Sequence, residues 1–96
     1  MVESQFQKKL KKEIKERLPE CMVMKTDASQ IQGIPDLLIL YGDRWAALEC
    51  KKAQGSAHRP NQDYYVEKMN NMSFSAFIYP ENKEEVLNAM EAALRA

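Results

Sequence analysis

Apolar residues recur every four positions at the start of the chain: Val2, Phe6, Leu10, Ile14 and Leu18. That period predicts an amphipathic helix over residues 3–18, ended by Pro19. The pattern then shortens. Residues 21–26 read as a short strand and residues 27–32 as a polar loop carrying Ser29, Gln30 and Gln32. Residues 37–41 form an apolar run of strand length, Gly42-Asp43 is a turn dipeptide, and residues 44–51 make a second strand, so the pair predicts a β-hairpin. A loop over residues 53–59 leads to Pro60, which fits the first turn of a helix running to about residue 71. Residues 73–79 alternate Phe74, Ala76 and Ile78 against Ser73, Ser75 and Phe77, and Pro80 closes that strand. Asn82 with Glu85 has the spacing of a capping box, opening a helix whose apolar positions are Val86, Leu87, Met90 and Leu94. The order α-β-β-β-α-β-α predicts one α/β domain over residues 1–96, a mixed sheet flanked by helices.

The hairpin puts charge where a covered sheet would not want it. With Gly42 and Asp43 as a two-residue loop, Tyr41 pairs with Arg44, and counting outward sets Asp36 opposite Glu49. A three-residue loop would shift this register by one. Directly opposed side chains stand about 4.5–5.5 Å apart at Cβ, where two carboxylates repel. Glu49 and Lys51 share a face because side chains alternate, whereas Cys50 points the other way, into the expected core. One face therefore gathers two acids and an amine. Two readings fit: a solvated salt bridge, or a cation site in which carboxylate oxygens hold a hard divalent ion. The apolar neighbours on both strands weigh against solvation, since unpaired charge under cover is costly. Glu3 adds a third carboxylate. At about 100° per residue it lies within roughly 20° of the centre of the first helix's apolar stripe. It is either a solvated first-turn acid that favours the helix dipole or a ligand aimed at the same site. Glu13 lies farther from the stripe centre.

Composition narrows the class. Formal net charge is zero, from 14 basic and 14 acidic residues, which excludes a strongly basic coat for nucleic acid. The charge is nevertheless uneven. Lys8, Lys9, Lys11, Lys12 and Lys15 crowd the first helix, while Glu81, Glu84, Glu85 and Glu91 make the last stretch acidic. For most of these lysines the simplest reading is a solvated helix face. No apolar run approaches a membrane span, and the lysine-rich start lacks the apolar core of a secretory signal. Cys21 and Cys50 make neither a disulfide framework nor a zinc spacing, so both are expected as buried thiols in a reducing cytoplasm.

Pro35-Asp36 followed by Glu49-Cys50-Lys51 resembles the PD-(D/E)xK nuclease signature. Gly33-Ile34-Pro35-Asp36-Leu37 and the later Pro60-Asn61-Gln62 are similar to the small stand-alone VRR-NUC proteins of that superfamily, and the similarity covers nearly the whole chain. The resemblance implies an αβββαβ restriction-endonuclease-like core, here with a C-terminal helix added. It implies Mg²⁺ or Mn²⁺ held by Glu3, Asp36, Glu49 and the carbonyl of Cys50. Lys51 would orient or activate water or stabilise the phosphorane-like charge, and Gln62 would orient the site or its water. Lys52, His58, Arg59 and Gln32 are the candidate DNA contacts around it. The implied activity is hydrolysis of DNA phosphodiesters by a homodimer, on branched substrates such as four-way junctions. Two alternatives stand beside it: a nuclease for flap, single-stranded or nicked DNA, and a non-catalytic DNA-binding module. Side-chain alternatives also remain. Tyr64 and Tyr65 suit core packing or a dimer interface better than base stacking, and Gln62 taken alone is an ordinary first-turn residue.

Overall fold

The computed structural model describes residues 3–96. Its order is α1 (Glu3–Arg17), β1 (Met22–Lys25), β2 (Leu37–Tyr41), β3 (Arg44–Cys50), α2 (Pro60–Met72), β4 (Phe74–Ile78), a single 3₁₀ turn (Pro80–Asn82) and α3 (Lys83–Arg95). This is the expected α/β arrangement, an αβββαβ core plus a C-terminal helix. The four strands lie in the order β1-β2-β3-β4. The first two pairings are antiparallel, and β4 runs parallel to β3. The parallel pair needs a crossover, which α2 supplies.

The four-residue stripe of α1 is buried: Phe6, Leu10 and Ile14 pack into the core with Leu18 just beyond the helix end. Val2, which the sequence pattern adds to that stripe, lies outside the described residues. One face of the sheet meets the stripe with Leu37, Ile39, Ala46, Leu48, Cys50 and Ile78. Val86, Leu87, Met90 and Leu94 of α3 complete the same core. The two helices are tied at their surfaces by Lys83 to Glu13 at 3.0 Å and Arg17 to Glu84 at 2.9 Å. The opposite sheet face is covered only in part. There α2 packs on β3 and β4 over the buried Ala47 and Ser75, and the Asn70 side chain accepts a 3.0 Å bond from Ser75 N–H.

The hairpin register is the expected one, with Tyr41 opposite Arg44 and Leu37 opposite Leu48. One further step sets Asp36 opposite Glu49. Gly42 turns the chain with φ +62°, while Asp43 stays out of the left-handed region, the pattern of a two-residue II′ turn. Two local expectations shift. β2 keeps its expected bounds, whereas β1 and β4 each lose one residue at both ends and β3 loses one at its end. Asn82 precedes α3, but its side chain makes no capping bond to that helix. Instead Asn82 Oδ1 accepts from Tyr79 N–H at 2.9 Å, and its amide donates to the Phe77 carbonyl at 3.1 Å. Pro80 explains the change: by forcing a tight turn before α3, it draws the asparagine back onto the end of β4.

The polar loop between β1 and β2 is anchored at both ends. The Asp27 carboxylate accepts from Ser29 N–H (2.9 Å) and hydroxyl (2.7 Å), and Thr26 Oγ1 donates to the Pro35 carbonyl at 2.6 Å. Gly33 then presses against the start of α2. Its φ is +92°, and a Cβ there would sit 2.4 Å from the Asn61 Cβ. Both constraints favour glycine, so Gly33→Ala should destabilise the fold by about 1–3 kcal/mol, the usual scale of left-handed strain in a non-glycine residue. Urea denaturation should register that loss with an unchanged m-value. A neutral substitution would mean that the loop moves freely off α2.

Candidate metal site

Three elements converge at one end of the sheet: the first turn of α1, the Asp36–Glu49 end of the hairpin, and the first turn of α2. Between them and the polar loop lies an open cleft of about 800 Å³, lined among others by Glu3, Gln32, Asp36, Glu49, Lys51 and Gln62. Glu3, Asp36 and Glu49 each offer a carboxylate oxygen, and these oxygens lie within 4.8 Å of one another. Glu13 does not join them. It pairs with Lys83 at 3.0 Å and Arg17 at 3.8 Å, on the side of α1 that faces α3.

Each carboxylate of the hairpin is held by one oxygen. Asp36 Oδ2 accepts the Cys50 backbone N–H at 3.0 Å. Glu49 is only 2% exposed, and its Oε2 accepts from the Gln62 side-chain amide at 3.0 Å. The other oxygen, Glu49 Oε1, is buried without a hydrogen-bond partner. An orphaned carboxylate oxygen costs on the order of 1–3 kcal/mol or more. Glu49 stands with Glu3 and Asp36 in a cluster of hard oxygen donors, the set that suits Mg²⁺ or Mn²⁺. The residues present therefore fit such an ion.

Lys51 is also buried, and its ammonium is fixed by acceptors: the Ala57 carbonyl at 3.1 Å and Gln62 Oε1 at 2.7 Å. Its distance to Glu49 Oε2 is 3.9 Å, too long for a hydrogen bond. A tight Glu49–Lys51 salt bridge is thus not what holds this face together. Gln62 is. Its Oε1 also accepts the Arg59 backbone N–H at 2.9 Å, capping the start of α2, while its amide reaches Glu49. One side chain joins the helix cap, the lysine and the acid.

Electrostatics follow the geometry. Burial and then the Asp36 charge push Glu49 up to about 8, with Lys51 pulling partly the other way. Cys50 lies on the core side of β3, where burial and then the neighbouring acids push its thiol far above the ordinary range. A nucleophilic thiolate at Cys50 is thereby excluded.

The remaining candidates sit around the rim. Arg59 and Gln32 are exposed and line the cleft. Lys52 is exposed just past β3. His58 is turned onto its own elements: Nδ1 lies 2.8 Å from Asp63 Oδ1, and the ring stacks on Phe77 at 3.9 Å between centroids. Tyr64 and Tyr65 contact each other edge-to-face on α2. Ala57, whose carbonyl holds the lysine, could not be anticipated from sequence; a backbone acceptor leaves no residue-type signature. The spacing of Arg59 and Gln62 could have exposed the Gln62 cap, because glutamine three residues after an N-cap commonly reaches back to it.

The chain matches no protein-family model, no curated protein and no solved structure.

The raised pKa of Glu49 sets a pH dependence. In the folded chain Glu49 keeps its proton up to about 8, whereas unfolded it releases it near 4.5. Between those values the folded state binds the extra proton, so stability falls as pH rises. Thermal melts with a chelator from pH 5 to 8.5 should show that decline, and Glu49→Gln should flatten it. Parallel pH profiles for the two proteins would show that Glu49 does not titrate in this window.

Proposed function

We propose that this chain is a metal-dependent DNA endonuclease hydrolysing phosphodiester bonds, acting as a homodimer on branched DNA such as four-way junctions. The observation that carries the reading is the convergence of Glu3, Asp36 and Glu49 beside a fixed ammonium in an open polar cleft, with a buried carboxylate oxygen left unpaired. The Pro35-Asp36 and Glu49-Cys50-Lys51 resemblance adds the nuclease assignment. Flap, single-stranded and nicked DNA are the alternative substrates, and a purely binding module is the alternative class. Two free, buried cysteines accord with a reducing, cytoplasmic setting.

The residues divide the work by chemistry. Glu3, Asp36 and Glu49 would hold Mg²⁺ or Mn²⁺, with the Cys50 carbonyl as a further ligand. Such an ion supplies Lewis acidity toward the phosphoryl oxygen and eases deprotonation of water. Asp36 and Glu49 reach the cleft already oriented, since Cys50 N–H and the Gln62 amide fix one oxygen of each. An ammonium has three donors. Two of those on Lys51 are engaged by the Ala57 carbonyl and Gln62, which leaves one for a water or a phosphate oxygen. Charge developing on the phosphoryl oxygens would meet that donor without rearrangement. Gln62 acts through its neighbours and is a positioning residue.

A homodimer answers the stoichiometry of junction cleavage, because paired incisions need two clefts and each chain supplies one. The uncovered part of the sheet offers a surface for it. Met22 (58% exposed) and Met24 (42% exposed) lie on edge strand β1, pointing away from the core, beside half-buried Leu38 and Leu40.

Cleavage of a labelled four-way junction should require Mg²⁺ or Mn²⁺ and exceed cleavage of matched duplex, flap and single-stranded DNA. Lys51→Ala should slow it by about 10²–10³-fold, the scale of losing one transition-state donor, with the melting curve retained. Gln62→Ala should slow it by about 10–100-fold, the scale of losing an orienting partner. Cutting confined to flap, nicked or single-stranded DNA would move the substrate and keep the site. Tight binding without cutting of any substrate would replace the enzyme reading with the binding module.

The dimer has its own measurement. Sedimentation at micromolar concentration should give twice the chain mass, and Met22→Lys with Met24→Lys should return it to one. A wild-type monomer would remove the homodimer from the proposal.

A further inference from the structure

Helix α1 buries one face and exposes another of different character. At about 100° per residue, Lys8, Lys11 and Lys12 fall within a single arc of about 100°, on the flank away from Glu13 and Arg17. Those two residues turn toward α3, where Arg17 meets Glu84 and Glu91 and Glu13 meets Lys83. Glu13, Glu84 and Glu91 are thus engaged on that side. Among the described residues, Lys8, Lys11 and Lys12 enter no ion pair within 4.0 Å. Lys15, the next lysine on the arc, is used differently: its ammonium donates to the Cys21 carbonyl at 2.6 Å. Glu16 borders the arc at that far end, so the uncompensated charge lies in the half nearest the cleft.

Three like charges at i, i+3 and i+4 repel one another. In a chain of zero net charge, gathering them on one flank has a cost that a polyanion would remove. Glu3 lines the cleft, and Lys8, Lys11 and Lys12 follow it by roughly 7–14 Å along the helix axis, turned about 80–180° around the helix from it, so they lie on the flank of α1 outside the cleft. Lys11 is half-buried on the sheet side of the arc, and its positive charge bears on Cys50 at the end of β3.

We propose that Lys8, Lys11 and Lys12 form a phosphate track on the flank of α1 that holds duplex DNA beside and outside the cleft. The assignment rests on the nuclease reading, which makes DNA the polyanion that the neighbouring cleft acts on. Such contacts position the substrate and carry no base specificity. An anionic membrane fits less well. The apolar stripe of α1 is spent in the core, leaving nothing on the exposed flank to insert between lipids.

The test compares the wild-type chain with the triple variant Lys8→Gln, Lys11→Gln, Lys12→Gln. Glutamine keeps a helix-favouring side chain, and circular dichroism and a thermal melt check the fold. The control is Lys9→Gln with Lys68→Gln, two exposed lysines off the arc. Binding of a fluorescein-labelled 25-base-pair duplex is followed by anisotropy in chelator from 50 to 300 mM salt. The triple variant should bind at least tenfold more weakly at 100 mM salt. Its slope of log K against log salt should be shallower by about 2–3, close to 0.9 for each phosphate that is no longer neutralised, while the control stays at wild-type values. An unchanged slope in the triple variant, or an equal weakening in the control, overturns the track and leaves the nuclease reading standing. Duplex binding that depends on the three lysines, with no cleavage of any DNA in Mg²⁺ or Mn²⁺, keeps the track and removes the nuclease. No duplex binding, with lysine-dependent capture on phosphatidylserine vesicles, overturns the track in favour of a lipid surface.

Discussion

The opposition of Asp36 and Glu49 across the hairpin is the constraint around which the rest of the site is arranged. Two ionised carboxylates on one sheet face, one of them almost fully buried, would be unfavourable by both desolvation and Coulomb repulsion, which is why Glu49 holds its proton so far above the usual range. The chain could escape by slipping the register one residue. That slip would turn Glu49 into the core and bring Cys50 out, reversing every side chain of β3. The core forbids it, because Ala46, Leu48 and Cys50 are packed with Leu37 and Ile39 against α1 and α3. The II′ turn at Gly42 fixes the same register from the other end. Packing energy spread over a whole face therefore maintains a local arrangement that, on its own terms, would relax.

What makes this arrangement tolerable is Gln62 more than Lys51. A lysine 3.9 Å from the carboxylate neutralises through space but satisfies no lone pair. The glutamine donates to Glu49 with one end and accepts from Lys51 and Arg59 with the other, so three elements share one side chain. The position of α2 thereby becomes part of the electrostatics. Gly33 matters for a related reason: its lack of a side chain lets the β1–β2 loop close onto the first turn of α2, and that contact forms one wall of the cleft.

Much of this was legible in the chain. The fourfold stripe of α1, the hairpin bounded by Gly42-Asp43 and the alternation of β4 each rest on a strong period, and each appears within a residue or two of its expected bounds. The hairpin register alone set Asp36 against Glu49. What could not be read lies in contacts between distant segments. The capping role written into Asn82 and Glu85 was displaced because Pro80 made a competing turn available. The Ala57 carbonyl had no signature. The choice between Glu3 and Glu13 depended on which flank of α1 faces α3, a matter of tertiary packing that helical angle only hints at.

Zero net charge says little about a site whose charges are segregated. The cleft gathers three carboxyl groups against one fixed ammonium, and its rim carries Arg59. A phosphodiester approaching the bare cleft would be attracted by the rim and repelled by the centre. Under the nuclease reading a divalent cation reverses that repulsion, and the phosphate in turn adds oxygen ligands and negative charge for the cation. Each would then strengthen the other's binding by the same factor, as linkage requires. Burial sharpens the effect, since the orphaned oxygen of Glu49 sees little water to screen it. Under the nuclease reading, an acidic centre beside a basic rim suits a polyanionic substrate only when the cation and the strand bind together.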